Sequence, residues 1–519
     1  MEPGVSQRPN FLVFCTDQLR ADLLSAYGSR YIETPNIDSI GRRGVTFANA
    51  YVNNAICQPS RATIFTGLTP RQHLVRTNGI QLDESVPTVM DILRSAGYTT
   101  HSVGKLHLAN FGLPKGAALE SLRAQDFPEA RRMWDAGRLE RFPVPYHGFQ
   151  SVDFVGGHVD YTFGDYADWL ESTQPGARDL LGKDKALRVP LGPEDAWVMA
   201  IPPELHYNTW VADRTGSLLE NAARSKNPFF LWCSFPDPHH PFAAPEPYAS
   251  MVRAEDVAVP EWDPAQEQTL PPFYARALHD GTFESNGVDG PTLWPDSHYQ
   301  HMIALTCGMV KMVDECVGRV LDALERTGLA ENTVVMFTSD HGDLMGDHRL
   351  VKKGPFMFRG LIRVPLLACG AGIEPIGSVD GLASLLDLTP TWLDLAGLRY
   401  PEGVAPPNPE EPPLAPLPGV SLTPLLNGSA KSVRDLALIE FDDGYVQERM
   451  RTIVTRRHRL TVYMGKDYGE LFDLQQDPGE HRNLWDDPSA APVKNELRTA
   501  LLDEIMRTDP NLPRRLCHA

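Results

Sequence analysis

Short runs of consecutive β-branched and aromatic residues, separated by helix-like patterns, constrain this chain more than any other feature. Residues 11–16, 99–103, 229–235, 333–339 and 364–369 are apolar with little of the alternation of a strand that has one wet face. Such strands are buried on both faces, as in a sheet covered by helices on each side. Between them, residues 88–96, 299–327 and 384–396 have the spacing of helices. The alternation predicts an α/β fold: a large mixed, mostly parallel sheet sandwiched by helices.

At 519 residues the chain exceeds what one hydrophobic core usually supports, so a smaller domain is expected beside the large one. Residues 110–225 and 241–296 have weaker periodicity and many Pro, Gly and Arg residues, and as long irregular insertions they are expected to wall a pocket. A Pro-rich stretch, PEGVAPPNPEEPPLAPLPG from Pro401, has little freedom to be helix or central strand. Beyond it, 436–441, 450–455 and 459–464 alternate like antiparallel strands, and 493–506 reads as an amphipathic helix. The expected division is an α/β domain over 1–430, carrying both insertions, and an α+β subdomain with an antiparallel sheet over 431–519.

With 48 basic and 67 acidic residues the net charge is −19, which argues against nucleic acid and anionic membrane surfaces as partners. The seven cysteines (15, 57, 233, 307, 316, 369 and 517) are odd in number and scattered, several within strand-like runs, which predicts free buried thiols and no disulfide framework. The opening residues MEPGVSQRPN lack the basic and apolar segments of a signal peptide, and no apolar run has bilayer length, so a cytoplasmic location is expected.

Chemistry concentrates where strands end. Asp17 and Gln18 follow the first strand, and Asp340 and His341 follow the strand at 333–339. In open α/β sheets ligands bind at the carboxyl ends of strands, so two carboxylates, an amide and an imidazole there make a plausible divalent-cation site. Taken singly, each aspartate could equally cap a following helix. Cys57-Gln58-Pro59-Ser60-Arg61 is the sharpest local motif, although a cysteine ahead of a helix is by itself unremarkable as a buried thiol.

Its context changes that reading. C-x-P-S-R resembles the motif of the sulfatase family, in which the cysteine is oxidised after synthesis to formylglycine. RPNFLVFCTDQLR, GYTTHSVGKLHL, FPDPHHPF, FTSDHGDLMGDH, KKGPFMFRGLIRVP and ELFDLQQDPGEHRNL resemble sulfatase blocks in the same order. The resemblance implies an alkaline-phosphatase-like fold and hydrolysis of a small-molecule or carbohydrate sulfate ester, with maturation by a formylglycine-generating enzyme; a homo-oligomer is left open. It further implies that Asp17, Gln18, Asp340, His341 and an oxygen of modified Cys57 hold one divalent metal ion. Arg61, Lys105 and His107 would surround the formylglycine, and His239 and Lys353 would contact the sulfate and the leaving oxygen. His239 is preferred to His240 because it fills the P-H-x-P position, and Lys353 to Lys352 because it directly precedes Gly354-Pro355.

In the mechanism so implied, one hydroxyl of the hydrated formylglycine attacks sulfur, ionised with help from the metal, Arg61 and Lys105. His239 or Lys353 protonates the leaving oxygen, and His107 deprotonates the second hydroxyl so that sulfate is expelled. The local cations also answer a puzzle, since an anionic substrate must approach a protein of net charge −19. Remote charges are screened beyond about 8 Å at physiological salt, so contact-range attraction wins.

Two positions depart from the commoner family pattern: Gln18 stands where many members have a second Asp, and His341 where many have Asn. Both soften a preference for calcium, the first expectation, toward manganese as the alternative. They also resemble phosphonate monoester hydrolases, so a phosphonate monoester or phosphodiester hydrolase is the alternative activity. A non-catalytic binder of sulfated ligands is the alternative if Cys57 stays unmodified. His158, Tyr161, His206, Trp210, Trp294 and His301 are candidates for a specificity pocket, each read first as packing.

Overall fold

The computed structural model describes residues 8–190, 192–283, 288–289, 291–400, 416–443 and 448–509. Nine strands form the large sheet: β1 (Asn10–Thr16), β2 (Val45–Tyr51), β3 (Thr99–Gly104), β4 (Ser151–Phe154), β5 (Phe229–Ser234), β6 (Thr333–Ser339), β7 (Arg363–Val364), β8 (Leu366–Gly370) and β9 (Gly377–Ser384). Their order is β7-β2-β8-β6-β1-β5-β3-β4, with β9 beside β2. The block β6-β1-β5-β3-β4 is parallel throughout, and β9 is parallel to β2, while β7 and β8 run antiparallel to β2 and β8 antiparallel to β6. The expected mixed, mostly parallel sheet is therefore present.

Both faces of β1 are buried, as its uninterrupted apolar run requires: Phe11, Val13 and Cys15 belong to one core, Leu12 and Phe14 to the other. Helices cover the two faces, among them α1 (Pro35–Arg42), α2 (Cys57–Thr66), α3 (Val89–Ser95), α4 (Tyr207–Ala222), α5 (Asp296–Arg326) and α6 (Leu388–Leu395).

The structure corrects several details. The single strand expected at 364–369 is two, β7 and β8, interrupted at Pro365, which has no N–H to give a ladder. The helix expected from 384 begins at Leu388: Ser384 closes β9, and its side chain caps a short 3₁₀ turn over Leu385–Asp387. The region 110–225 is less irregular than its sequence suggests, since it contains α4, a helix at Asp165–Thr173 and a strand at Ala196–Met199 that pairs in parallel with Phe242–Pro245.

The C-terminal strands β10 (Leu436–Asp443), β11 (Glu448–Thr455), β12 (His458–Tyr463) and β13 (Gly469–Asp473) form an antiparallel meander, followed by α7 (Ala491–Arg507). One face of this sheet, through Ile439, Phe441, Val454 and Phe472, joins a core of the large sheet. Leu438, Ile453, Leu460 and Leu471 on the other face pack with Trp485, Leu497 and Leu501. The six cysteines among the described residues are free and buried, whereas Cys517 and residues 401–415 of the Pro-rich stretch lie outside the described residues. No helix among the described residues is long and apolar enough to cross a membrane.

Candidate active site

Four parallel strands end on one edge of the sheet and deliver most of the candidate residues there. Thr16 of β1 is in register with Ser339 of β6, so the residues that follow, Asp17 and Asp340, emerge side by side. Lys105 follows β3, and His239 lies in the loop after β5. Gly104 permits the close approach of these two chains: a Cβ there would stand 1.8 Å from the carbonyl oxygen of Ser234.

Cys57 opens α2, whose residues are all buried. Pro59 falls within the first turn, where its missing N–H would have had no intrahelical partner, and Gly67 ends the helix at φ +68°. This helix holds Arg61 one turn behind Cys57, fully buried, where its Nε donates to Asp340 Oδ2 at 2.7 Å and its Nη1 to the Lys105 carbonyl at 2.9 Å and Ser234 Oγ at 3.0 Å. Arg61 Nη2 stands 3.8 Å from Asp17 Oδ2.

Lys105 Nζ donates to Asp17 Oδ2 and lies 3.0 Å from His158 Nε2. Lys353 Nζ meets three groups: His239 Nε2 at 2.9 Å, His341 Nε2 at 3.3 Å and Cys57 Sγ at 3.6 Å. An ammonium only donates, so both imidazoles present a lone pair to it. Their protons accordingly sit on Nδ1, facing the His240 carbonyl from His239 at 2.5 Å and the Gly342 carbonyl from His341 at 2.8 Å. His107 lies beside Cys57, where its charge lowers the thiol, and stacks on Phe111 at 4.1 Å, while Glu129 accepts its backbone N–H at 2.6 Å.

These cations reverse the ordinary effect of burial. Burial pushes the thiols of Cys233, Cys307 and Cys316 up to about 12. Burial acts the same way on Cys57, yet Lys353, Lys105 and His107 outweigh it and hold that thiol well below its usual value. Asp17 is likewise opposed by burial, but Lys105, His158, Lys353 and Arg61 hold its carboxyl well below the usual range.

The donor set fits a divalent cation. Asp17 Oδ1 and Gln18 Oε1 are buried without a hydrogen-bond partner, an arrangement that burial penalises unless a ligand satisfies it. Ligand atoms of Asp17, Cys57 and His341 all lie within 4.8 Å of one another. Gln18 is fixed with its oxygen free, because its Nε2 is engaged by Asp343 Oδ2 at 2.5 Å and His240 Nδ1 at 3.1 Å. Asp340 accepts from Arg61 and from the backbone N–H groups of Gln18 and His341, at 3.1 and 2.9 Å.

The residues that the sequence assigns to the metal and to catalysis thus lie together. His239 and Lys353 face each other there, whereas His240 supports Gln18 and Lys352 pairs with Asp195 at 2.8 Å. A cavity of about 790 Å³ opens beside the site, lined by His240, Lys352 and Trp294 among others. Of the remaining pocket candidates, Tyr161 is exposed, His206 caps α4 and Trp210 is packed within it. His301 bonds back to its own helix through the Ser297 carbonyl.

Two further residues join the site: Asn78, which the sequence did not mark, and His158, which it marked only as a specificity-pocket candidate read first as packing. Asn78 donates to Cys57 Sγ at 3.6 Å and accepts the Gln58 N–H at 3.2 Å. His158 touches Lys105 and stacks on His239 at 3.6 Å. A histidine after Gly156-Gly157 at a strand end was a weak signal for the second; nothing around Asn78 marked the first.

Comparison with known proteins gives the family. The family described as Sulfatase matches residues 9–398, and the family described as N-sulphoglucosamine sulphohydrolase, C-terminal, matches residues 346–507. An arylsulfatase of Clostridium perfringens (strain 13 / Type A) is 27% identical over 96% of this chain and 94% of its own. A choline-sulfatase of Rhizobium meliloti (strain 1021) is 28% identical over 96% and 86%. The crystal structure of a phosphonate monoester hydrolase of Agrobacterium radiobacter superposes with a TM-score of 0.79 at 27% identity, covering 97% of this chain and 96% of that one. With three-quarters of its length matched by the family and the fold of the alkaline phosphatase superfamily, the chain belongs to the sulfatase family.

Proposed function

We propose that the protein hydrolyses a sulfate ester to an alcohol and inorganic sulfate, using a formylglycine made from Cys57. The observation that carries the reading is the convergence on Cys57 Sγ of Lys353 and Asn78, beside the two unpartnered oxygens of Asp17 and Gln18. Hydrated formylglycine supplies one hydroxyl for attack on sulfur and a second through which sulfate can leave. Asp17, Gln18, Asp340 and His341, with residue 57, would hold a divalent ion, calcium first and manganese as the alternative, that adds positive charge for the sulfuryl oxygens.

The chain's own groups divide the remaining work. Arg61 and Lys105 add fixed positive charge behind residue 57 and favour an ionised hydroxyl there. Lys353 donates a proton to the departing alcohol oxygen. His239 orients that ammonium as an acceptor and is not the donor itself, because its Nε2 carries the lone pair that faces Lys353. His107, beside residue 57, takes the proton of the second hydroxyl as sulfate is expelled.

Leaving-group dependence tests this division. Lys353→Ala should slow esters of poorly acidic alcohols by about 100-fold or more while sparing activated aryl sulfates, because a good leaving group needs less protonation. His107→Ala should give a burst of alcohol followed by slow turnover, nearly independent of the alcohol's acidity. Equal leaving-group sensitivity in the two variants, with no burst, would show the roles to be wrongly divided.

A second reading, hydrolysis of phosphonate monoesters or phosphodiesters at the same site, is favoured by Gln18 and His341 and by the likeness to the phosphonate monoester hydrolase. Lys105 and His107, in the G-K-L-H sequence, favour the sulfate ester. Should intact-mass measurement on native material find Cys57 unconverted, a binder of sulfated ligands becomes the better description.

A further inference from the structure

His158 occupies a place in the site that the roles above leave unexplained. It sits just beyond β4, in a turn that the backbone fixes tightly: Gly156 bridges to Phe163, and a Cβ on Gly157 would lie 2.2 Å from the Tyr161 carbonyl oxygen. The turn presents the imidazole to both halves of the site at once. On its edge, Nε2 lies 3.0 Å from Lys105 Nζ. On its face, the ring stacks on His239 at 3.6 Å and 6°, and His239 in turn stacks on His240 at 4.0 Å.

The edge contact has a definite polarity. An ammonium has no lone pair, so His158 Nε2 is the acceptor and its proton is on Nδ1. Nδ1 is itself buried with no hydrogen-bond partner, a desolvated donor that the fold alone gives no reason to keep. Among the described residues the other acceptor for Lys105 is Asp17, which is also a candidate metal ligand. Without His158 the ammonium would be drawn toward that carboxylate and away from residue 57. A third carboxylate could hold Lys105 equally well but would cancel the positive field that an anionic ester needs; a neutral imidazole holds it without adding negative charge.

The face contact does a separate job. His239 Nε2 meets Lys353 only if its ring keeps one orientation, set at one end by the His240 carbonyl and along its face by the stacked rings. We propose that His158 is a positioning residue common to both halves of the site: its Nε2 holds Lys105 toward residue 57, and its ring aligns His239 for Lys353.

The inference rests on the sulfatase reading, and two substitutions separate its parts. His158→Phe keeps a flat ring for His239 and removes the acceptor for Lys105. His158→Gln places an acceptor where Nε2 was and removes the ring. Steady-state kcat/KM is measured for a series of aryl sulfates, from 4-nitrophenyl sulfate to esters of poorly acidic phenols, with wild type alongside. His158→Phe is expected to lose about 10-fold or more on every ester with an unchanged dependence on alcohol acidity. His158→Gln is expected to lose at least about 10-fold more on the poorest leaving groups than on 4-nitrophenyl sulfate. The ratio between esters within one preparation is independent of how much of it is folded or converted at residue 57, so partial misfolding does not blur the His158→Gln outcome; the uniform loss in His158→Phe is read per folded, converted enzyme, with circular dichroism and intact mass giving those fractions. Equal, uniform losses in both variants would mean a merely structural histidine, and wild-type rates in both would mean no role; either overturns the proposal while wild-type turnover upholds the sulfatase reading. Absence of turnover by converted wild type would overturn both.

Discussion

Replacing Cys57 with alanine is expected to lower turnover of any sulfate ester by about four orders of magnitude or more, with the fold intact by circular dichroism. The expectation follows from the isolation of this side chain's chemistry. Cys57 is the candidate nucleophile precursor toward which Lys353 and Asn78 point, at 3.6 Å each, and these long contacts to sulfur contribute little to stability. Cys57→Ser is the sharper variant. A serine hydroxyl can attack sulfur once, but has no second hydroxyl through which to expel sulfate. It should therefore accumulate a covalent sulfate ester on residue 57, visible by intact mass, with at most slow release. Sustained turnover near the wild-type rate would sink the formylglycine proposal.

The second large effect is expected at the metal. Dialysis against a chelator should inactivate the enzyme, and Asp17→Asn or Asp340→Asn should weaken metal binding by about 100-fold or more, with partial rescue by added calcium or manganese. These variants also carry a stability effect that must be read separately. Asp17 is paired with Lys105 and Asp340 with Arg61, all without exposed surface, and breaking a buried pair from one side costs about 3–5 kcal/mol. Asparagine preserves a hydrogen bond, so the loss should fall below that figure. Rescue of activity by metal without recovery of thermal stability would separate the two effects. Full activity in a preparation shown to be metal-free by elemental analysis would refute the site.

How far the sequence foretold this structure depended on whether burial left a mark on it. β1, β5 and β6 are buried on both faces and were legible as unbroken apolar runs. β2 (VTFANAY) mixes polar residues into its pattern, and β9 (GSVDGLAS) carries Asp380 and Gly381 where its pairing with β2 shifts register, so neither was read as a strand. The fourth strand of the small sheet, β13, lies inside the block ELFDLQQDPGEHRNL, where the sequence shows a family resemblance and no strand is expected. α4 was hidden differently: its buried face includes Asn208, Thr209 and Thr215, which break the apolar period even though the helix is packed.

The site divides along similar lines. Cys57, Arg61, Lys105, His107, Asp340 and His341 stand in compact blocks at or near strand ends, where both the topology and the family resemblance point. Asn78 sits singly in a turn, with no periodicity to mark it, and His158 is legible only as a pocket candidate more readily taken for packing. Their contacts with Cys57 and Lys105 depend on how distant segments fold against each other, which a linear pattern does not encode. The choice between His239 and Lys353 as proton donor was equally beyond the sequence, because it rests on which ring nitrogen faces the ammonium.

The central claim, that this site works on sulfate esters, is tested most directly by measuring kcat/KM for 4-nitrophenyl sulfate and for a 4-nitrophenyl phosphonate monoester on one preparation. Both esters release the same alcohol, so differences in leaving-group protonation cancel and the ratio reports which central atom the site prefers. With Lys105 and His107 beside residue 57, sulfate should be preferred by about 10-fold or more, or roughly 1.4 kcal/mol in transition-state binding. A preference of that size for the phosphonate in fully converted, metal-loaded enzyme would contradict the account and make the phosphonate ester the better description of the substrate.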